Sequence, residues 1–424
     1  MQSIIASKFD PHLPTKWPMK RLKDISSKIG SGATPRGGKS SYRSDGVSLI
    51  RSLNVYDFYF DEEDLAFISD EQAARLDNVV VLNDDILLNI TGASVGRCCM
   101  VNSKTLPARV NQHVAIVRIR PELADPHFVL YCINSSHFKS RLLALAQGGA
   151  TREALTKTTI EDFEVYQPPL PVQKRIADIL SAYDELIENN QRRIKILESM
   201  ARSLYREWFV HFRFPGSESI PLVPSPLGPI PQGWEVKKLG EVATITMGLS
   251  PKGDTYNDDG YGTPLVNGPV EFGDRFTRQI KWTTSPSKLC KEGDLVVCVR
   301  GSTTGRNVKS DGTYCLGRGV CGISSQFQCF VDLVFANELP RLLAQTSGST
   351  FPSWTGPQLK SHPMLSPPLS VLERFEGLVK PMNDAVLTYS RQIQNLSQTR
   401  NRLLPRLLSG QVELAPSNAK ETIL

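Results

Sequence analysis

Two long stretches of this chain place their apolar residues in alternating steps of four and three. The first runs Ile176, Leu180, Tyr183, Ile187, Asn190, Ile194, Leu197, Ala201, Leu204, Trp208. The second runs Phe375, Val379, Met382, Val386, Tyr389, Ile393, Leu396, Arg400, Leu403, Leu407. A heptad seam held over more than four repeats predicts a long α-helix. Each helix would be roughly 50 Å long at 1.5 Å per residue, and so narrow a stripe is buried only against a partner. The two seams correspond position for position. They are therefore expected to pair, through Ile176, Leu180, Ile187, Ile194, Leu197 and Leu204 on one side and Val379, Val386, Ile393, Leu396 and Leu403 on the other. The polar members, Asn190 and Arg400, read as register control or a solvated edge.

Upstream of each helix the pattern changes to short β-rich runs, such as Val79 to Leu82, Ile86 to Ile90, His113 to Ile119 and Leu295 to Val299, broken by Gly, Asn, Asp and Pro. That grammar predicts a sheet-rich globular domain with some helices. It occurs twice. The segment from Trp17 to Ile25 aligns with Trp234 to Val242, at an offset of 217. Asp85 to Arg97, containing Gly-Ala-Ser-Val-Gly-Arg, aligns with Asp294 to Arg306, containing Gly-Ser-Thr-Thr-Gly-Arg, at 209. Gly149-Ala150-Thr151 and Pro168-Pro169-Leu170 align with Gly348-Ser349-Thr350 and Pro367-Pro368-Leu369 at 199. The falling offset means a second copy shortened in its loops.

The chain thus divides into a first globular domain (1–170), a helix (171–214), a Pro-rich linker (215–233), a second globular domain (234–369), a second helix (370–410) and a tail (411–424). The fold class is α/β (α+β). A semi-rigid linker that starts the second copy, whose helix then returns, favours an antiparallel coiled coil with a pseudo-two-fold axis and a globular domain at each end.

At 424 residues and 40% hydrophobic content, the chain is long enough for two or three domains and is no disordered tail. Its longest apolar runs fall far short of the ~20 residues of a membrane helix, and its start lacks a secretory pattern. We expect a soluble, cytoplasmic protein. The eight cysteines form no C-x-x-C pair and sit at no zinc spacing, which reads as buried reduced thiols. The formal net charge of +6 suits a polyanion without proving one.

Three strings invite an enzymatic reading, and each fails on its surroundings. Gly92-Ala93-Ser94-Val95-Gly96 fits a nucleophile elbow, but Arg97 to Asn102 looks like a strand and turn where a helix is needed, and the second copy has Thr303 in place of Ser94. The stretch from Gly32 to Ser40 resembles a phosphate loop with the wrong Gly spacing and an interrupting Pro35. The Pro-Pro pairs lack the polar and aromatic neighbours of an amino-methyltransferase signature. No catalytic centre is expected in this chain, and no metal.

Basic and amide side chains on the Gly-rich loops remain. Copy one offers Arg36, Lys39, Arg43, Arg51, Arg97, Arg109, Asn111, Gln112, His113 and Arg152. Copy two offers Lys252, Arg275, Arg278, Lys281, Arg300, Arg306, Lys309 and Arg318. Arg and Lys neutralise phosphates, while Arg, Asn and Gln read guanine and adenine edges in the major groove. Two pairs recur under the 209-residue offset, Arg97 with Arg306 and Arg109 with Arg318, and a shared structural ion pair accounts for recurrence equally well.

In the order of these motifs the sequence resembles the specificity (S) subunit of type I restriction-modification systems. The carriers are the Trp-x-x-x-x-Leu-x-x-Ile/Val openings at Trp17 and Trp234, the two Gly-rich turns, and Pro168-Pro169-Leu170-Pro171-Val172-Gln173-Lys174-Arg175-Ile176. Added to these are Ser203 to Val210, Ile230 to Trp234, and Leu403 to Gly410. The resemblance covers nearly the whole chain. It implies two target recognition domains that each read one half of a split double-stranded DNA site, joined by two helices acting as a ruler. It further implies docking of two methyltransferase subunits and, in the full assembly, two motor-nuclease subunits, with S-adenosylmethionine, ATP and Mg on those partners and no cofactor here. The stretch Leu359 to Leu365 departs from this pattern in being thinner in charge than its counterpart Leu155 to Val165, which bears on how symmetric the two docking sites are. B-DNA repeats every ~34 Å, which suits readers about one turn apart. The two copies differ strongly in their loops, so the target is expected to be asymmetric. Two other classes compete: a coiled-coil adaptor for proteins, and a hydrolase using Ser94 or Asp85 and Asp294.

Overall fold

The computed structural model describes residues 17–147, 153–346 and 352–412. The chain forms two compact units that divide midway along each long helix. Of the described residues, one unit holds those from 17 to 189 together with those from 392 to 412; the other holds those from 190 to 391.

Each unit is built on the same pair of sheets. In the unit ending at Asn189, one sheet has the order Ser26–Ser31, Val114–Ile119, Ile86–Asn89, Cys98–Met100, and the other the order Ala66–Ile68, Val47–Ile50, Ala108–Val110, Val80–Val81. In the Asn190–Arg391 unit the first sheet recurs as Thr244–Met247, Val320–Ser324, Leu295–Cys298, Asn307–Lys309. Its second sheet adds an edge strand: Tyr256–Asn257, Lys281–Thr283, Thr263–Val266, Tyr314–Leu316, Leu289–Cys290. A parallel contact sits at the same place in both, Ala108–Val110 against Val47–Ile50 and Tyr314–Leu316 against Thr263–Val266.

The central strands read as unbroken apolar runs because both of their faces are covered. Ala115 and Val117 face one core with Phe128 and Leu142, while Val114 and Ile116 face a second core with Leu49 and Ile68. In the other unit Val297 and Ile323 face the core of Phe330 and Phe375, and Val296 and Val320 face that of Tyr314 and Leu316. Full burial of each such side chain is worth about 1.5–3 kcal/mol. The eight cysteines are all buried and unbridged. Burial pushes the Cys98 thiol up to about 12, so these residues act as small apolar fillers.

The long helices are Leu170–Tyr205, whose end opens into a π-helical turn at Arg206–Val210, and Leu369–Leu408. Every seam position is buried or half-buried. Ile176, Leu180, Ile194, Val379 and Val386 are buried, while Ile187, Leu197, Leu204, Ile393, Leu396 and Leu403 are half-buried. In one unit Ile176 and Leu180 share a core with Leu404 and Leu407; in the other Ala201, Tyr205 and Trp208 share one with Leu372, Phe375 and Val379. The start of each helix therefore meets the end of the other, and the pair is antiparallel. The polar seam member Arg400 is no solvated edge, being 8% exposed, and Asn190 is 7% exposed.

Candidate nucleic-acid interface

Three loops gather beside the first sheet of each unit. The first follows a strand end held by a close approach. Gly32 N–H donates to the Val114 carbonyl (2.9 Å) and Gly248 N–H to that of Val320 (3.0 Å). A Cβ on Gly32 would lie 2.0 Å from the Val110 carbonyl oxygen, and one on Gly248 2.1 Å from that of Gly317, so only glycine fits. Beyond these glycines come Thr34-Pro35-Arg36 and Ser250-Pro251-Lys252. Arg36, Lys39 and Lys252 are exposed, as is Arg43, whose backbone N–H donates to the Phe67 carbonyl.

The second loop is the Gly-Ala-Ser-Val-Gly-Arg turn and its counterpart. Gly92 and Gly96 have φ values of 73° and 81°, Gly301 and Gly305 of 85° and 92°, a left-handed backbone in both copies. Gly96 N–H donates to the Asn89 carbonyl and Gly305 N–H to that of Cys298. The turn leads into a strand, Cys98–Met100 or Asn307–Lys309, so Ser94 lacks the helix of a nucleophile elbow. Arg97 lies over the Tyr56 ring at 4.8 Å, and Arg306 over Phe272 at 6.0 Å, each pinned by a cation–π contact. Arg300 is exposed and bridges Ser353 by its backbone.

The third loop is a tight turn between strands, Asn111 to Val114 and Gly317 to Val320, each closed by the fourth residue's N–H on the first residue's carbonyl at 3.1 Å. Gln112 and Arg318 project from these turns, both exposed. Asn111 is buried, and its Oδ1 accepts from His113 N–H.

The backbone register corrects one pairing. Asn111 N–H donates to the Ile50 carbonyl as Gly317 N–H does to Val266, and Ile90 N–H to His113 as Val299 N–H to Gly319. Gln112 is therefore the structural counterpart of Arg318. Arg109 faces Leu49 across the parallel pair as Cys315 faces Leu265, so Arg109 corresponds to Cys315. The 209-residue offset holds through the Gly-rich turn, and three residues of connection are lost before the next strand.

Arg109 also differs in role. It is 8% exposed, with Nε donating to the Ala73 carbonyl, Nη1 to Ala108 and Nη2 to Asp77, which commits the guanidinium inside the fold. Others are tied as well: Arg275 to Glu198, Lys309 to Asp332, and Arg51 to the Asp64 carbonyl and the Tyr42 ring. Lys281 is half-buried, and Arg278 is exposed beside Asp274. Arg152 and the Gly149 and Gly348 segments lie outside the described residues. Asp85 accepts two hydrogen bonds at 2.7 Å from Arg118 and one from Leu82 N–H, and Asp294 accepts one from Lys291 N–H, so both carboxylates close turns.

Sequence reasoning missed Thr34, whose hydroxyl donates to Gln112 Oε1, and Ser250, whose Oγ accepts from Arg318 N–H at 3.2 Å. It also missed an open cleft of about 250 Å³ lined by Thr34, Pro35, Arg36, Gln72, Arg75 and Leu76, where Arg75 pairs with Glu71 at 2.6 Å. Only the fold brings residues 34–36 beside 72–76. Among the described residues no cluster of metal-ligating side chains occurs, and no helix is long and apolar enough to cross a membrane.

Comparison with known proteins gives a consistent picture. The family described as "Type I restriction modification DNA specificity domain" matches residues 14–199 and 231–373. The type I restriction enzyme MjaIX specificity subunit of Methanocaldococcus jannaschii is 24% identical over 416 residues, covering 95% of each chain. A second protein of that organism, provisionally named the MjaX specificity subunit, is 24% identical over 412 residues, again covering 95% of each. In fold, the chain is similar to the crystal structure of a type I restriction-modification system S subunit from M. genitalium. The TM-score is 0.62 with 14% identity, over 93% of this chain and 96% of that one.

Proposed function

Because the chain belongs to the type I restriction-modification DNA specificity family, we propose that each of its two units reads one half of a split, asymmetric target in double-stranded DNA. The protein is a specificity subunit, a DNA-recognising and non-catalytic component of a type I restriction-modification complex. The observation that carries the finer reading is the recurrence of one loop framework in both units, with the same backbone ladder and glycine approaches but different side chains at its tips.

In this reading Arg36, Lys39, Arg43 and Arg97 face phosphates and base edges in one half-site, with Gln112 and Asn111 beside them and Arg152 included from sequence alone. Lys252, Arg300, Arg306 and Arg318 serve the other half-site. Phosphate neutralisation supplies sequence-independent affinity, and edge contacts supply the choice of sequence. Arg109 is left out of the interface because its donors are spent internally. The recognition domains are residues 1–170 and 234–369, with helices 171–214 and 370–410 and their flanks docking two methyltransferase subunits. Two motor-nuclease subunits complete the assembly, S-adenosylmethionine, ATP and Mg belong to those partners, and the complex works in the cytoplasm. The family match favours DNA over the protein-adaptor alternative.

Binding selection from random duplexes, paired with mapping of methylated adenines in host DNA, tests the proposal. Two unlike half-sites separated by unread base pairs are expected. A continuous or palindromic motif would overturn it.

A further inference from the structure

At the tip of the third loop the two units carry different side chains at one equivalent position, Gln112 and Arg318, each with a definite chemistry. Gln112 and Arg318 are both the second residue of a hydrogen-bonded turn built on the same ladder of backbone bonds. On either side of Arg318 the fold admits only glycine. A Cβ on Gly317 would lie 1.8 Å from Asn267 Oδ1, and one on Gly319 2.2 Å from the Asn267 carbonyl oxygen. Arg318 is exposed, its backbone N–H rests on Ser250, and among the described residues no ion pair engages its guanidinium.

Gln112 is also exposed, and here the surroundings orient the amide. Thr34 Oγ1 donates to Gln112 Oε1. On the other side Gln112 Nε2 lies 3.0 Å from His113 Nε2, and His113 Nδ1 lies 2.7 Å from Thr91 Oγ1. One tautomer satisfies this chain: the amide N–H donates to His113 Nε2, and His113 Nδ1–H donates to Thr91. The amide then keeps one N–H and one oxygen lone pair for a ligand.

Resting on the DNA-reading function above, we propose that Gln112 and Arg318 are the base-specifying residues of their respective half-sites, Gln112 reading adenine and Arg318 reading guanine in the major groove. The outward donor and acceptor of Gln112 match N7 and the N6 amino group of adenine. The forked donors of Arg318 match O6 and N7 of guanine. Thr34 and His113 are positioning residues for Gln112. Arg36 and Lys252, two residues beyond the turn-contacting Thr34 and Ser250, supply phosphate contacts in either unit.

The test uses the full chain purified with its co-expressed partner subunits and the split site found by selection. Each base pair of that site is varied in turn, for the wild type, Gln112→Ala and Arg318→Ala. Arg318→Ala should lose about ten- to a hundredfold of preference for guanine at one position in one half, leaving the other half and the salt dependence nearly unchanged. Gln112→Ala should do the same for adenine in the other half. Substituting 7-deazaguanine at the assigned position should weaken the wild type, a readout that needs no variant to fold, and should leave Arg318→Ala unaffected. Uniform weakening across all sequences with a shallower salt slope would mark a phosphate contact and overturn the assignment, as would no loss or equal loss in both halves. A wild type with no split sequence preference would instead sink the DNA-reading proposal beneath it.

Discussion

Arg400 and Asp184, one from each long helix, form an ion pair at a largely apolar seam, inside the unit that holds both. The guanidinium also lies 3.9 Å from the Phe58 ring centroid, and Tyr131 donates its hydroxyl to the second Asp184 oxygen. Both helices are thereby tied to the recognition domain through one buried polar knot. The 199-residue shift puts Ala201 and Asn383 at the matching places in the other unit, which relies on an aromatic cluster of Tyr205, Trp208, Phe209, Phe330 and Phe375.

Arg400→Ala leaves the partly exposed Asp184 carboxylate without its cation and should cost about 1–3 kcal/mol in its own unit. Hydrogen exchange should show faster opening around Tyr131 and residues 176–184, with residues 295–299 unchanged; uniform loss in both units would contradict the assignment.

Apart from Arg400 and Asn190 the seam is made of apolar and aromatic residues. Ile194 is 1% exposed, so Ile194→Asp should destabilise the helix pair by several kcal/mol, and denaturant unfolding should report it. The same change at half-buried Leu396 should cost less.

Arg109 and Arg97 separate structure from recognition. Arg109→Ala strips donors from the Ala73 and Ala108 carbonyls and should lower stability by about 1–3 kcal/mol. Arg97→Ala should leave the melting temperature within a degree or two and weaken one half-site only. Thermal melts and half-site binding on the same preparations distinguish the two.

Binding should also fall with salt. Each phosphate neutralised contributes about −0.9 to the slope of log K against log salt, so raising salt from ~50 to ~200 mM should weaken the complex by orders of magnitude. A flat response would leave the basic loops without a phosphate role.

Glu338 offers a pH test. His362 and Arg341 hold its carboxyl below the usual range, His362 contributing first, so the folded state binds a proton there less readily than the unfolded chain. The stabilisation is present above the unfolded value and is lost as pH falls through the lower folded one. Glu338→Gln should therefore reduce stability at pH 7, and the gap from wild type should close below about pH 4.

Sequence periodicity was sufficient for the helices, because a heptad stripe has no other way to leave water than against a matching stripe. The duplicated grammar and its glycines likewise marked two similar domains with two similar turns. The 209-residue offset misled at Arg109. The falling offset showed that residues are lost from the second copy but not where, whereas the hydrogen-bond ladder counts residues directly.

What the sequence determined by itself was therefore periodic or local: two paired rods, two copies of a sheet-rich body, and glycines where the backbone turns left-handed. Tertiary structure decided everything that depends on which distant segments meet. It set the burial of Arg400 beside Asp184, the internal commitment of Arg109, and the match of Gln112 with Arg318. Those outcomes rest on register and on the competition between water and internal partners for each donor, and neither is written in spacing along the chain.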